Sequence, residues 1–302
     1  MAEIEVIDRA TKNAFQEQVY GGFWVRLLYT NSLGRWLAPK IARWPLLSKL
    51  YGFWQRQRFT RRKIASFVER FNIDAREFLR PIDAFESFND FFVRELNPKA
   101  RPIAGAPRQA IIPADGRYKF FENIGPEIGL YVKGNDLILS DLLAGFANID
   151  DYFGGTLVLG RLCPLDCHRF YCPSQASVAP PQIQDGLLYS VNPLATSQKG
   201  GILARNRKTI LSLDSKDFGQ FLLIAVGATC VGSIHLTYPS ESLVQRGQEL
   251  GYYSFGGSAL IALFRPNTLQ LAKDLRLLSE QPKEIYCQIG QTLGLAAAEH
   301  RQ

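Results

Sequence analysis

Residues 251–264 read Gly-Tyr-Tyr-Ser-Phe-Gly-Gly-Ser-Ala-Leu-Ile-Ala-Leu-Phe. Two short apolar runs, Tyr252 to Phe255 and Ala259 to Phe264, flank Gly256-Gly257-Ser258. Paired glycines between apolar runs are typical of a tight hairpin turn, because glycine supplies the positive φ angles that such turns need. The plainest interpretation of the stretch is therefore a hairpin in an antiparallel sheet.

The same stretch also has the chemistry to break its own backbone. The Gly257 carbonyl has no Cβ beside it and is open to attack by the Ser258 hydroxyl. Attack would turn the amide into an ester, elimination would leave residue 258 as dehydroalanine, and hydrolysis would give a pyruvoyl group. The choice between the two interpretations depends on whether a base lies near Ser258, because a serine hydroxyl is a poor nucleophile without one.

Two motifs upstream offer an acid–base pair. The run 112–116, Ile-Pro-Ala-Asp-Gly, ends a predicted strand in a turn that presents Asp115, and the run 162–173 presents His168 between two prolines. Each has an ordinary explanation, since Asp-Gly is a common turn and a histidine among aromatic residues usually belongs to the core.

The chain has three histidines, and His168 is the best placed to act as a base. His235 falls in a predicted strand and His300 in the C-terminal tail. Histidine activates serine best when a carboxylate fixes its tautomer. We therefore predict that Asp115, His168 and Ser258 are the catalytic residues.

Taken together and in order, these motifs resemble the pyruvoyl-dependent phosphatidylserine decarboxylase family. The resemblance covers nearly the whole chain and rests on the segments 91–96 (Phe-Phe-Val-Arg-Glu-Leu), 101–103 (Arg-Pro-Ile), 113–116 (Pro-Ala-Asp-Gly), 166–169 (Asp-Cys-His-Arg), 226–234 (Val-Gly-Ala-Thr-Cys-Val-Gly-Ser-Ile), 247–252 (Gly-Gln-Glu-Leu-Gly-Tyr) and 255–258 (Phe-Gly-Gly-Ser). Ordered motifs over such a length are far more specific than one alone, and they favour self-cleavage over a simple hairpin.

The resemblance implies a proenzyme that is cut between Gly257 and Ser258. The products would be a β chain, residues 1–257, and an α chain, residues 258–302, whose first residue becomes the pyruvoyl group. This group would form a Schiff base with phosphatidylserine and act as an electron sink for loss of CO2, giving phosphatidylethanolamine. The resemblance implies that Asp115 and His168 promote cleavage and that the family tends to form homodimers. We take His168 as the candidate proton donor in decarboxylation, and we expect no metal cofactor.

The chain departs from the family pattern at three positions. Tyr171 stands where the family has a second histidine, Cys167 stands where a tyrosine is usual, and Ala259 follows the serine in place of threonine. The first change matters most, because a tyrosine with a reference pKa of about 10 is a poor base near neutral pH. We expect His168 to suffice.

The pattern along the chain predicts an α+β fold. Residues 11–100 are predicted to be helical, with Ile64, Phe67, Val68 and Phe71 on one face and a capping box that begins at Ser87. From about residue 108 short apolar runs separated by Gly, Pro, Asn and Asp predict an antiparallel β sandwich or barrel-like core. We expect a helical region 1–105 and a catalytic domain 106–302. The predicted strands are 157–162, 186–191, 209–213, 221–226 and 230–236, and a helix is predicted over 268–280.

Charge is spread unevenly. Between Gln18 and Val68 there are ten Lys/Arg and no Asp or Glu; removing those ten from the 35 basic residues leaves 25 against 28 acidic. All four tryptophans lie in the same segment: Trp24, Trp36, Trp44 and Trp54. Basic and aromatic residues together suit the headgroup zone of an anionic membrane. A helical subdomain with a purely structural aromatic core is the alternative, and no motif supports nucleic-acid binding.

We expect a peripheral protein on the cytoplasmic side of the cell membrane. The longest uncharged run, 218–240, has three glycines, a proline and several polar residues, and it suits two buried strands better than a membrane span. The N-terminus has no apolar signal region. The spacing of Cys163, Cys167, His168 and Cys172 lacks the paired pattern of a zinc ribbon, so we expect no metal there.

Two other classes of function stay open on the residues alone. A lipid-directed serine hydrolase would use the same Ser, His and Asp in one uncleaved chain, although no Gly-x-Ser-x-Gly motif is present. A catalytically silent, membrane-associated homologue would have lost activity through Tyr171. It would stay uncleaved, or it would cleave without decarboxylating.

Overall fold

The structure is a computed structural model. It describes residues 4–18, 20, 22–106, 108–130, 136–146, 148–197, 200–228, 233–239, 241–256 and 258–297, and for residues 23–26 and 45–49 it describes the backbone. Within these ranges the chain is an α+β protein of mostly antiparallel sheets with helices concentrated near the N-terminus, which confirms the predicted fold class.

The α-helices of the described part of the chain are α1 Gly22–Thr30, α2 Ser32–Ala42, α3 Pro45–Gln55, α4 Lys63–Arg70, α5 Phe88–Phe92, α6 Leu139–Leu142, α7 Pro193–Thr196, α8 Ile202–Arg205 and α9 Lys273–Ser279. Short 3-10 helices cover Arg58–Arg62, Ala75–Glu77, Ile82–Ala84, Pro98–Ala100 and Ile149–Tyr152. Ser87 caps α5 as predicted, because its side chain accepts a hydrogen bond from the Asp90 N–H.

The strands are β1 Glu5–Asp8, β2 Ala14–Gln16, β3 Gln109–Ile111, β4 Gly116–Glu122, β5 Glu127–Gly129, β6 Asp136–Ile138, β7 Thr156–Leu162, β8 Arg169–Tyr171, β9 Ala176–Val178, β10 Gln182–Gln184, β11 Lys208–Ser215, β12 Gly219–Gly227, β13 Ile234–Leu236, β14 Leu243–Val244, β15 Glu249–Tyr253, β16 Ser258–Phe264, β17 Leu269–Leu271, β18 Glu284–Cys287 and β19 Thr292–Ala296.

The main sheet is open. Its order is β14-β9-β11-β12-β16-β7-β4-β18-β1-β2, with β10 paired to β11, and all its pairs are antiparallel except β1 with β18. Smaller sheets have the orders β13-β15-β8, β17-β19-β3 and β5-β6. The described residues therefore form open antiparallel sheets, without a closed barrel.

Two chain crossings between sheets lie side by side. The chain leaves β7 of the main sheet and enters β8 of a three-stranded sheet through residues 163–168, and it returns from β15 to β16 through residues 254–257. β7 pairs with β16 and β8 pairs with β15, so the two crossings are neighbours. The Tyr253 N–H donates to the His168 carbonyl across them at 2.9 Å. This arrangement positions the site.

Successive side chains of β16 point alternately into two hydrophobic clusters, one on each face of the main sheet. Leu260, Ala262 and Phe264 face one hydrophobic cluster, and Ala259, Ile261 and Leu263 face the other. Because side chains alternate along a strand, Ser258 points to the same side as Leu260. A third cluster, mostly of phenylalanines from the N-terminal region, includes Phe255, which directly precedes Gly256-Gly257-Ser258 in the sequence.

The structure corrects several local predictions. The runs that flank Gly256-Gly257 do not form a hairpin with each other, since β15 and β16 belong to different sheets. Residues 11–100 are not all helical, because residues 14–16 form β2. Residues 186–191 form no strand, and the helix predicted over 268–280 is β17 followed by the shorter α9.

Other predictions hold. Strands 157–162, 209–213 and 221–226 match β7, β11 and β12, and the last predicted strand is confirmed over 234–236, while residues 230–232 lie outside the described residues. Ile64 and Phe67 are buried on α4 as the periodicity indicates. The division of the chain at residue 105 stays a prediction.

Candidate active site

Ser258 and His168 lie together in the core where the two crossings meet. The Ser258 Oγ is 3.4 Å from the His168 Nδ1, and both residues are fully buried. Gly257 lies outside the described residues. Gly256 has a φ of 135°, a conformation that L side chains disfavour, so position 256 requires glycine. The residues predicted to be nucleophile and base are therefore neighbours.

A backbone carbonyl fixes the tautomer of His168. The His168 Nε2 is 2.9 Å from the Cys163 carbonyl oxygen. A carbonyl can only accept, so Nε2 carries the proton of the neutral ring and Nδ1 presents its lone pair to the Ser258 hydroxyl. This is the tautomer that removal of the serine proton requires.

His168 is neutral at physiological pH. Burial lowers its pKa from 6.5 to about 3; the hydrogen bond to the Cys163 carbonyl opposes that shift, and the charges of Arg94 and Arg117 add to it. The ring stacks on Phe92, with centroids 3.9 Å apart, and meets Tyr253 edge-on at 6.5 Å. The imidazole is thus held in a dry aromatic surrounding and is available as a base.

The Asp115 carboxylate has other partners. It accepts three hydrogen bonds from the Arg101 guanidinium at 2.8 to 3.1 Å and one from the Ile289 N–H at 2.8 Å. Arg101 also pairs with Glu77 at 2.9 Å. Among the described residues no hydrogen bond joins Asp115 to His168. The structure therefore brings together Ser258 and His168, and it places Asp115 in an adjacent ion-pair cluster.

Tyr171, which we predicted from the sequence to stand in place of a second histidine, is the last residue of β8. Its N–H donates to the Pro113 carbonyl at 2.8 Å. Burial raises the pKa of its phenol well above 10, and the charges of nearby groups raise it further. Tyr171 is therefore neutral over the whole physiological range and has no basic form with which to activate Ser258.

A buried cluster of charges lies beside the relay, and the sequence interpretation missed it. Asp166 pairs with Arg117, Arg117 with Glu17 at 2.8 Å, and Arg161 with both Glu17 at 2.9 Å and Glu284. The side chains are at most 6% exposed. A signal was present for Arg161, because it lies in the mostly apolar strand β7, where a charge needs a buried partner.

The thiols considered as metal ligands point to different partners. The Cys163 Sγ contacts Glu17 and Arg161, the Cys167 Sγ donates to the Arg94 carbonyl, and the Cys172 Sγ donates to the Ser174 carbonyl. Burial raises the pKa of Cys167 to about 11. Burial raises the pKa of all three thiols and keeps them protonated, and each thiol contacts a different set of partners.

A second Ser–His contact lies nearby. The Ser254 Oγ is 2.9 Å from the His235 Nε2, and His235 stacks on Tyr252 with centroids 4.8 Å apart. Ser254 is four positions before Ser258, and His235 is part-exposed. Ser254 follows Tyr253 and not a glycine, so it has no Gly-Ser bond of its own to cleave, and the pair provides a matched control for experiments on Ser258.

The fold and the site together define a class. This is an α+β protein in which a fully buried serine, which follows two glycines in the sequence, faces a neutral imidazole at the start of a strand. Such a pair activates a serine hydroxyl.

Comparison with known proteins supplies the family. A family model described as phosphatidylserine decarboxylase matches residues 88–295. The phosphatidylserine decarboxylase proenzyme of Chlamydia felis is 39% identical over 299 residues, which cover 99% of this chain and 100% of the relative. The proenzyme of the same name from Clostridium perfringens strain SM101 is 35% identical over 96% of this chain and 99% of its own. The chain therefore belongs to the phosphatidylserine decarboxylase family, and the resemblance drawn from its motifs is confirmed.

Proposed function

We propose that this chain is the proenzyme of a pyruvoyl-dependent phosphatidylserine decarboxylase. The observation that carries the proposal is the buried contact between the unprotonated nitrogen of His168 and Ser258, the residue that follows Gly256-Gly257 in the sequence. The family and the names of the relatives support the same activity.

Self-cleavage uses atoms of the chain alone until its last step. His168 Nδ1 takes the Ser258 Oγ proton, Oγ bonds to the Gly257 carbonyl carbon, and the C–N bond breaks as the proton passes to the Ser258 nitrogen. The resulting ester loses the Ser258 Cα proton and its Cβ–O bond, which frees the Gly257 carboxylate and leaves dehydroalanine. Its tautomeric imine adds water and releases ammonia, which gives the ketone.

Position 258 fits a pyruvoyl group. It is wholly buried at the start of β16, and the next residue is fixed by a 2.9 Å hydrogen bond from the Tyr253 hydroxyl to the Ala259 carbonyl. The ketone would supply an electron sink for loss of CO2 from an amino acid headgroup. The chain contributes buried aromatic surroundings, in which Phe92 stacks on His168 and packs on Phe255. It also contributes His168, which would hold or move a proton beside residue 258.

Asp115 remains part of the proposed site. Its carboxylate neutralises Arg101 and accepts the Ile289 N–H, so its influence on His168 passes through the surrounding structure. The Pro113 carbonyl of the same turn binds the Tyr171 N–H, which ties the turn to β8. We infer that Asp115 supports the geometry of the site and that His168 alone takes the serine proton.

The basic and aromatic segment 18–68 is the part of the chain that we propose to dock on the membrane, and its described side chains between residues 27 and 63 are called the membrane-docking surface. It carries many of the exposed large apolar side chains of the described chain: Leu27, Leu33, Trp36, Trp44, Leu50, Phe53, Trp54 and Phe59. The basic residues lie among them, as shown by Lys40 over the Trp36 ring at 3.1 Å and Lys63 over the Trp54 ring at 3.9 Å. Exposed apolar groups framed by cations suit an anionic bilayer.

This surface adjoins the site. Tyr51 of α3 packs on Phe255 with ring centroids 5.5 Å apart, Phe255 packs on Phe92 at 4.8 Å, and Phe92 stacks on His168. Three ring contacts therefore link the proposed docking surface to His168, and a headgroup would have to displace part of this packing to reach the fully buried residue 258. In the described part of the chain, no helix is both long and apolar enough to cross a membrane.

A silent homologue is the second candidate, and Tyr171 favours it. The phenol has no basic form at neutral pH, so a mechanism that needs a second base at that position would fail. The chain would then bind membranes without maturing.

The test is formation of phosphatidylethanolamine from phosphatidylserine vesicles by the purified protein. We expect product from the unsubstituted chain and from Ser254→Ala, and none from Ser258→Ala. Ser254 is the matched control because it also contacts a histidine and lies close in sequence. Activity that survives Ser258→Ala would refute the proposal, and an inactive, uncleaved chain would favour the silent homologue.

A further inference from the structure

The turn formed by residues 163–166 holds the carbonyl that orients His168. The Cys163 carbonyl accepts two N–H groups, that of Asp166 at 2.9 Å and the Nε2–H of His168 at 2.9 Å. If this carbonyl moved or turned away, no hydrogen bond to Cys163 would favour the tautomer with the proton on Nε2. The tautomer of His168 therefore depends on the conformation of this turn.

The Asp166 carboxylate closes the turn from the other side. Its Oδ2 accepts the Cys163 N–H at 2.7 Å. Cys163 is thus bound to Asp166 at both its N–H and its carbonyl. Short polar side chains stabilise tight turns by such local bonds to the backbone. Asp166 consequently fixes the peptide groups on both sides of Cys163, including the one that meets His168.

The Asp166 carboxylate is itself held by buried charges. Arg117 pairs with Asp166 and with Glu17, and Arg161 pairs with Glu17 and Glu284. The Arg94 guanidinium donates to the carbonyls of Leu165 and Asp166, at 2.6 and 3.1 Å. These groups come from different parts of the chain. Their contacts with Leu165 and Asp166 hold the 163–166 turn in place.

Such a cluster is a poor source of stability. Ion pairs taken out of water regain little net free energy, and replacing them by apolar residues is often neutral or stabilising. Their known benefit in some proteins is that they specify one geometry. Here the ion pairs specify the position of the Cys163 carbonyl, which accepts the hydrogen bond from the His168 Nε2.

We propose that Asp166, held by Arg117 and Glu17, is a positioning residue that sets the tautomer of His168 through the 163–166 turn. The role rests on the proposed function, in which His168 takes the Ser258 proton. Asp166 touches neither Ser258 nor the imidazole in a direct hydrogen bond, so it acts through the turn alone.

The first readout is the tautomer itself. The chain has three histidines, so a ¹⁵N-histidine NMR spectrum is simple, and His168 is assigned by its loss in His168→Gln. We measure it in the Ser258→Ala chain, which stays whole. The otherwise unsubstituted protein should show Nε2 protonated and Nδ1 bare. Asp166→Ala should give a mixture of tautomers, and Asp166→Asn, which keeps an acceptor for the Cys163 N–H, should restore the single form.

The second readout is the rate of self-cleavage with Ser258 present. Asp166→Ala should slow it on the order of 100-fold, since small misplacements of a catalytic group have effects of that size. Asp166→Asn should recover most of the rate. Asp151→Asn is the matched control, because Asp151 pairs with Arg265 in a part-exposed ion pair elsewhere; it should change neither readout.

A pure Nε2–H tautomer and a full cleavage rate in Asp166→Ala would overturn the proposal. Loss of the Nε2–H tautomer of His168 in Asp166→Asn would also overturn the proposal. Because asparagine is nearly isosteric with aspartate, this variant keeps the test decisive if the alanine variant does not fold. An unsubstituted chain that fails to cleave would refute the proposed function instead, while the NMR readout in the Ser258→Ala chain would still decide the role of Asp166.

Discussion

The depressed pKa of His168 predicts a specific loss of stability in acid. The folded protein holds this group with a pKa of about 3, against 6.5 for a solvated histidine of the unfolded chain. Well above pH 6.5, His168 is neutral in both the folded and the unfolded state, and the free energy of unfolding does not depend on its titration. Between pH 6.5 and 3 the unfolded chain binds the proton and the folded one does not, so the folded state loses stability as the pH falls.

The size of the stability loss follows from the pKa values of His168 in the folded and unfolded states. The linkage relation gives a penalty of about 1 kcal/mol at pH 6 and about 2 kcal/mol at pH 5, both relative to pH 7.5. The assay is urea unfolding of the Ser258→Ala chain at pH 7.5 and pH 5, with and without His168→Gln. Glutamine keeps an N–H donor for the Cys163 carbonyl and does not titrate.

Other groups also titrate in this range, so the comparison between the two chains is what matters. We expect the drop in the free energy of unfolding between pH 7.5 and pH 5 to be about 2 kcal/mol smaller with glutamine at position 168. Equal drops in the two chains would show that His168 is not held neutral by burial, and the description of the base would be wrong.

Three further predictions concern Asp115, Phe92 and the membrane-docking surface. Asp115→Asn should slow self-cleavage less than His168→Gln, measured by gel conversion of the precursor, because its contacts are with Arg101 rather than with the imidazole; equal losses would place it in the proton relay. Phe92→Ala should lower the free energy of unfolding by roughly 3–5 kcal/mol, because Phe92 is fully buried. Phe59→Ala should change it by less than about 0.5 kcal/mol, because Phe59 is half-exposed. Similar losses of unfolding free energy in the two variants would contradict the assigned burial of Phe92. Phe53→Ala should weaken sedimentation with phosphatidylserine vesicles about tenfold, and Ile183→Ala, equally exposed but outside the surface, should not; an equal effect of both would remove residues 27–63 as the docking surface.

The nucleophile and base could be predicted because both lie in short motifs with local signals. Ser258 follows two glycines at the start of an apolar run, and His168 is one of three histidines in the chain. The topology that joins them depends on pairings distant in sequence, such as Ser258 with Leu162. Motif order suggested their proximity, and the sheet crossings explain it.

The partner of the imidazole could not be predicted. A carboxylate was expected, but a backbone carbonyl at Cys163 has no signature in the sequence. The ion pairs of Glu17 with Arg117 and Arg161 join residues 100 or more positions apart, and charge patterns along the chain do not reveal such pairs. Their buried positions in strands were the only local indication.

Errors in secondary structure also have physical causes. Residues 186–191 look like a strand, but the Asn206 side chain takes the place of a neighbouring strand: it accepts from the Tyr189 N–H at 3.0 Å and donates to its carbonyl at 2.8 Å. Residues 269–271 alternate buried and exposed, and they pair with β19 instead of starting the predicted helix. Tertiary pairing overrode local preference in both places.

The mass spectrum of the denatured protein tests the central claim most directly. The account predicts two species, residues 1–257 and residues 258–302, the smaller with a carbonyl in place of the amine at residue 258. A single intact chain of 302 residues, from protein shown to be folded, would contradict the claim that Ser258 and His168 suffice without a second histidine.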